Sequence, residues 1–414
     1  MSHRSPSLNG RNALMNGLGA RGVSRRGVLR GASLAGLALG SPSLLAACGT
    51  EGAQQTTESC KSEDLSASEK TLNFSNWPEY IDVETRKVNG QKQTVIPTLM
   101  DFEEQSGIKV TYNTDVNDNN EFFAKVRNQL AECESTGRDI FTLTDWMAGR
   151  MVGLGWIQEL DHANMPNVDA NLLASLKSPS WDPERKHSVP WQSGFTGIAY
   201  NSKYTGEVGS MEELLTRSDL KGKVSLLSEM GDTMGFMLRI VGADPNDFTE
   251  DQFGQALDKL EEYVSSGHIR RFTGNDYIRD LNAGNLVACE AWSGDVMVMQ
   301  DGNPDIKWIA PEEGLSLWSD NMLVPNKATH KTNAEKLMDY YYDPEVAARL
   351  AAWVWYVSPV EGAREAMEKV DPALVDQPLI FPDEAFLANT WAFMDVDEKT
   401  RQQYDQDFAQ VIGA

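Results

Sequence analysis

Four short segments combine a tryptophan with an acid or a hydroxyl: Asn76-Trp77-Pro78-Glu79-Tyr80, Thr144-Asp145-Trp146, Trp292-Ser293-Gly294-Asp295 and Leu317-Trp318-Ser319-Asp320. The first three directly follow strand-like stretches, and ligands of open α/β sheets bind outside the carboxyl ends of strands. An aromatic face attracts an ammonium group through its ring quadrupole, and a carboxylate accepts charge-assisted N–H bonds. Together they make a site for an organic cation whose methylene chain lies between the rings. A single tryptophan is more often core and a single acid more often solvated surface, but four such clusters at strand ends favour a site.

The elements that must position these residues read as a mixed α/β body. Leu72 to Ser75, Ile108 to Tyr112 and Asp139 to Leu143 have the apolar content of short strands. Thr98 to Glu104 shows helical spacing that stops at Ser106-Gly107. Asp118 or Asn119 is placed to cap a helix from Asn120 to Leu130, which outweighs the calcium-loop reading of Asp115-x-Asn117-x-Asn119 because Asn120 replaces the turn glycine. The pattern restarts with strands at 197–200 and 224–227, helices at 234–241 and 253–264, and a strand at 286–291. Alternating strands and helices imply a largely parallel sheet covered on both faces, and two similar lobes fit better than one long domain.

Other chemistry is poorly supported. The five histidines are never four residues apart or spaced with Cys as a zinc site requires, and there is no nucleophile elbow or complete phosphate loop. No cofactor and no metal are expected, and an enzyme is not supported.

The chain carries 61 acidic and 37 basic residues, a net charge of −24, which argues against a nucleic-acid partner. Six arginines and no acid fall in the first 47 residues, so 31 bases face 61 acids in the rest, a charge of −30. Arg25-Arg26 precedes a short Gly/Ala/Leu run ending in Leu45-Ala46-Ala47-Cys48. This leader resembles a twin-arginine export signal, and its end resembles a lipobox that would place lipid on Cys48. Residues 49–70 read as a polar, flexible tether, in which Cys60 is expected to have no structural role. Whether Cys133 and Cys289 meet is left open.

Phe74-Ser75-Asn76-Trp77-Pro78-Glu79-Tyr80 resembles the opening motif of the spermidine/putrescine-binding proteins of bacterial ABC importers, the polyamine branch of the extracellular solute-binding proteins. The agreement continues through Gly153 to Leu160, Val189-Pro190-Trp191, Trp292 to Asp295 and Pro311 to Gly314. The resemblance implies a two-lobed periplasmic-binding-protein fold of type II, with the ligand in the cleft between lobes. It implies an export signal at 1–47 and a linker at 48–70. Lobe 1 would comprise 71–190 plus 293–325, and lobe 2 would comprise 191–292 plus 326–414. Trp77 and Tyr80 would stack on the ligand. Thr144 and Trp146 would stand where the family has a serine and a tyrosine, and Trp292 with Asp295 and Trp318 with Asp320 would complete the wall. Glu229 and Asp232 are the nearest match to the family's pair of amine-binding acids, with the acid lengths exchanged and a one-residue gap. Asp276 and Tyr277 are further candidates. The partners implied are a polyamine (putrescine or spermidine) and an ABC permease, with a monomer held to the membrane only by lipid. Rival readings are the same fold with a sugar, quaternary amine or metal complex, and an anchored surface hydrolase.

Overall fold

The computed structural model describes Cys60, residues 62–88 and residues 91–413; the leader and Cys48 lie outside the described residues. The strands are β1 (Thr71–Asn76), β2 (Glu84–Val88), β3 (Gln91–Val95), β4 (Lys109–Thr114), β5 (Ile140–Thr144), β6 (Ser188–Asn201), β7 (Val224–Leu227), β8 (Ile269–Thr273), β9 (Ala288–Trp292), β10 (Ile306–Ile309), β11 (Leu315–Leu323) and β12 (Thr390–Trp391). Ten of them form one sheet in the order β4-β1-β5-β11-β6-β9-β7-β8, with β10 paired to β6, β12 paired to β11, and β2–β3 a separate hairpin. At one end β1 pairs in parallel with β4 and β5; at the other β7 pairs in parallel with β8 and β9. The antiparallel pair β6 and β11 runs between these parallel halves and joins the two lobes.

β6 is 14 residues long and buried throughout, whereas its sequence suggests a strand only at 197–200. Pro190, Gly194 and Gly197 resemble strand breakers, yet β6 lies between β11 and β9, and burial on both sides overrides local propensity. The glycines are required by packing. A Cβ on Gly194 would meet the Trp318 ring at 2.5 Å, and one on Gly197 would meet the Ile309 carbonyl at 2.6 Å. The helix Asn119–Ala131 is capped by Asp118, whose carboxylate accepts from the Glu121 N–H at 2.9 Å, as the helix-cap reading expected.

Leu72, Phe74, Ile140, Phe141 and Leu143 centre one core; Val224, Leu226, Met237, Phe253 and Leu260 centre the other. Residues 326–414 contribute to both of these cores and to a smaller cluster around Ala348, Ala351, Met367 and Ile380. Leu337, Met338 and Leu350 join the first core, because the helices Lys331–Tyr340 and Pro344–Val354 cover β1 and the helix Pro97–Ser106, while Tyr404 and Phe408 join the second. Within 293–325, β10 pairs antiparallel with residues 198–201 of β6.

Residues 62–70 are not a free tether. The Leu65 N–H donates to the Thr329 carbonyl at 2.7 Å, the Thr332 N–H to Asp64 at 3.1 Å, and the Asn333 N–H to the buried Ser66 hydroxyl at 3.1 Å. Cys60 is bonded to Cys133, and Cys289 is a buried free thiol. Cys60 therefore has the structural role its polar surroundings argued against, because Cys133 stands just beyond the helix Asn119–Ala131, with the two Cα atoms 5.1 Å apart. The bridge spans 73 residues, so Cys133→Ser is expected to lower the stability by about 2–4 kcal/mol, read as an earlier denaturant midpoint than wild type. Equal midpoints would show that the bridge constrains nothing.

Candidate functional site

All ten sequence-derived candidates line one cavity of about 320 Å³: Trp77, Tyr80, Thr144, Trp146, Glu229, Asp232, Trp292, Asp295, Trp318 and Asp320. That volume is in the range of small-molecule sites. Three of the clusters stand at the C-terminal ends of strands, as expected. Trp77 follows β1, Thr144 ends β5 and Trp292 ends β9. Trp318 and Asp320 instead sit in the middle of β11, where Trp318 faces Gly194 of β6. The helices that follow β5, β7 and β9 carry acids in their first turn: Asp145, Asp232 and Asp295. The helix dipole favours negative charge there, so the same turn that presents each acid also stabilises its ionised form.

The aromatics form an edge-to-face chain, with ring centroids 5.9 Å apart for Trp77 and Trp292, 6.5 Å for Trp292 and Trp318, and 5.3 Å for Trp318 and Tyr356. Their polar ends are anchored to protein. The Trp77 indole donates to the Thr142 carbonyl at 3.1 Å, the Trp318 indole to the Thr196 hydroxyl at 3.0 Å, and the Trp292 indole to Asp232 at 3.3 Å. These bonds leave the ring faces as a rigid apolar wall. Gly194→Ala is expected to push Trp318 and Tyr356 off this wall, weakening ligand binding roughly tenfold or more while costing about 1–3 kcal/mol of stability. Titration calorimetry and melting on the same sample would show both, and unchanged affinity would remove Trp318 from the site.

The acids differ in how much of their bonding capacity is left. Asp295 is filled: it accepts from Tyr277 at 2.8 Å, Tyr356 at 2.9 Å and Asn275 at 2.9 Å. Asp232 accepts from Thr196 at 2.7 Å in addition to Trp292. Glu229 accepts from the backbone and side-chain N–H groups of Asn119, at 2.7 and 3.0 Å. Asn119 belongs to the first lobe and Glu229 to the second, so this bond ties the lobes together across the mouth. The Ser228 hydroxyl donating to Asp118 at 2.6 Å does the same. Asp320 accepts from Tyr80 at 2.8 Å through one oxygen, whereas its other oxygen, Oδ1, is buried with no hydrogen-bond partner at bonding geometry, although Thr144 stands near enough to favour its charged form. Asn275 Oδ1 and Ser319 Oγ are also buried and unpartnered. Unmet acceptors in a cavity wall are expensive unless something donates to them.

Burial dominates the electrostatics. It pushes the carboxyls of Asp295 and Asp320 up to about 7 and that of Asp145 to about 6, against the hydrogen bonds that oppose it. Asp232 is raised and Glu229 is held well above the usual carboxylate range, again through burial, with Asp118 adding to the effect on Glu229. Glu290, beneath the wall, is pushed up to about 8. A cluster of carboxylates held partly protonated at neutral pH is poised to ionise when a cation enters.

Sequence reasoning did not find Tyr356, Asn275, Phe393 and Arg401, which also line the cavity. Tyr356 follows Trp355, whose left-handed backbone (φ 59°) ends the helix Pro344–Val354 and turns the chain toward Asp295. In the sequence it sits inside an apolar run with nothing to mark it. Tyr277, a candidate only by resemblance, is buried with its hydroxyl on Asp295. Asp276 does not line the cavity.

The family model of the bacterial extracellular solute-binding proteins matches residues 99–381. The chain belongs to this family. A spermidine/putrescine-binding periplasmic protein of Haemophilus influenzae is 26% identical over 371 residues, 89% of this chain and 95% of its own. The putrescine-binding periplasmic protein PotF of Escherichia coli is 28% identical, over 77% and 85%. Among solved structures, the substrate-binding protein PotD of Streptococcus pneumoniae superposes with a TM-score of 0.63 at 23% identity, over 83% of this chain and 98% of that one, a likeness of fold. Members of this family act outside the cytoplasm. Among the described residues, no helix is long and apolar enough to cross a membrane, and no group of three or more His, Cys, Asp or Glu is placed to hold a metal ion.

Proposed function

We propose that this solute-binding protein captures a polyamine between its lobes and delivers it to an ABC permease. The observation that carries this reading is the composition of one cavity, in which an aromatic chain stands beside several buried acids, one with a free oxygen. An ammonium group supplies the N–H donor that Asp320 Oδ1 lacks, and ring faces take the methylenes and share the positive charge, each cation–π contact contributing about 1–2 kcal/mol when desolvated. A neutral sugar would leave several buried carboxylates without a counter-charge. The relatives named for spermidine and putrescine support the same chemistry. In this reading Trp77, Tyr80, Trp292, Trp318 and Asp320 touch the ligand. Asp295 and Asp232 supply charge and hold the aromatics in place, and Glu229 with Asn119 latches the closed lobes. The mature chain acts as a monomer at the outer face of the cell membrane, tethered by lipid on Cys48. The Cys60–Cys133 bridge suits the oxidising side of that membrane.

A thermal-shift screen tests this, because a ligand bound only by the native state raises the melting midpoint, by the equivalent of about 2.7 kcal/mol at a hundred times its dissociation constant. Putrescine or spermidine should raise it and sugars should not. A shift with sugars alone would overturn the reading.

A further inference from the structure

Arg401 is a cation inside a cavity otherwise lined to receive one. It lies in the first turn or so of the helix Glu398–Ile412, is only 6% exposed, and lines the same cavity as the aromatic chain. Its guanidinium stands 5.1 Å from the Trp146 ring centroid and 5.3 Å from that of Phe393. Trp146 is the aromatic that resemblance gave to the ligand, and it already carries the protein's own positive group.

The acids around Arg401 are already engaged with the protein's own cations. Asp395, Asp405 and Glu398 all act on Arg401, and Arg150 from the first lobe reaches Glu398 at 3.0 Å and Asp405 at 3.8 Å. Burial works against the Arg401 charge, but a guanidinium stays protonated in such surroundings. The lining therefore offers two unlike surfaces. Asp320 offers an unmet acceptor beside the aromatic wall, whereas the Trp146 ring carries a fixed cation, two of whose acidic neighbours, Glu398 and Asp405, are shared with Arg150.

Resting on the polyamine reading, we propose that Arg401 is a specificity-determining residue that occupies the place of a third ammonium group and restricts the site to short diamines. A diamine has only two ammonium groups to place, and the acids beside the aromatic wall, Asp320 and Asp232, can receive both. A longer triamine would bring its last ammonium against a like charge in a water-poor cavity, where the repulsion is screened far less than in bulk water.

Calorimetric titration of putrescine and spermidine into the folded chain tests this, with Arg401→Met keeping the side chain's bulk and Arg401→Lys keeping its charge. The wild type should bind putrescine roughly tenfold more tightly than spermidine. Arg401→Met should raise spermidine affinity about tenfold and leave putrescine within a few-fold, whereas Arg401→Lys should keep the wild-type preference. Equal affinities in the wild type, or an equal loss for both amines in Arg401→Met as a merely structural role would give, overturn the inference. The wild-type comparison decides even if a variant fails to fold. Binding of neither amine by the wild type overturns the polyamine reading itself, whereas binding of both without preference overturns only the role of Arg401.

Discussion

Asp320→Asn is expected to abolish measurable polyamine binding while raising the melting temperature of the ligand-free protein. The two effects have one cause. Asp320 is 4% exposed, and its Oδ1 has no hydrogen-bond partner, so the empty site bears the cost of a desolvated, half-bonded carboxyl. Asparagine keeps the oxygen that accepts from Tyr80 and removes the charge. The ligand then loses a charge-assisted bond in a buried setting and leaves an ammonium group uncompensated. Breaking one partner of a buried pair costs about 3–5 kcal/mol, which is two to three decades or more in affinity. A parallel melt and titration distinguish this from unfolding. Loss of binding accompanied by a lowered melting temperature would make Asp320 a structural residue. Asp295, which the resemblance placed in the cleft wall with Trp292, is bonded to Tyr277, Tyr356 and Asn275. Its replacement by alanine should weaken binding too, but at a cost to folding, since three buried donors lose their acceptor.

The second large effect is on pH. Asp295 and Asp320 have carboxyls near 7, raised by burial, whereas in the unfolded chain they titrate about 4. A group whose folded value is raised binds more protons in the native state between the two values, so native stability falls as pH rises from about 4 to 7. The ligand-free protein should therefore gain stability from these two groups as pH is lowered through 7, the gain being complete near the unfolded value. Binding runs the other way. An ammonium ligand selects the ionised carboxylates, so capture releases protons below pH 7 and affinity falls as pH drops, by up to tenfold per unit for each carboxylate that must ionise. Titrations in buffers of different ionisation heat would count the released protons. Affinity that does not change between about pH 5.5 and 8 would show that neither carboxylate ionises on binding.

The local clusters were legible because each lies within a few residues of sequence and is presented at the C-terminal end of a strand: Trp77 with Tyr80, Thr144 with Trp146, Trp292 with Asp295. Trp318 and Asp320 carried the right residue types, but their position in the middle of β11 was not visible, because β11 is set by its pairing with β5 and β6. The length of β6 was hidden by Pro190, Gly194 and Gly197, whose meaning lies in neighbours more than a hundred residues away: Gly194 leaves room for Trp318, and Gly197 for the chain at Ile309. Tyr356 and Arg401 reach the cavity through the packing of C-terminal helices on different cores, which no periodicity announces. The Cys60–Cys133 bridge was missed for the same reason, since the polar composition around Cys60 says nothing of Asp64, Leu65 and Ser66 being bonded to the chain at 329–333. Glu229 was found as an acid of the right kind in the right cavity, yet its bonds run to Asn119 on the facing lobe.

The most direct test of polyamine capture is isothermal titration of putrescine into the exported chain just below neutral pH. The account predicts saturable one-to-one binding at about micromolar affinity or tighter, with the heat changing between buffers as protons leave Asp295 and Asp320. A folded protein that gives no saturable heat with putrescine, spermidine or any other short polyamine would contradict it.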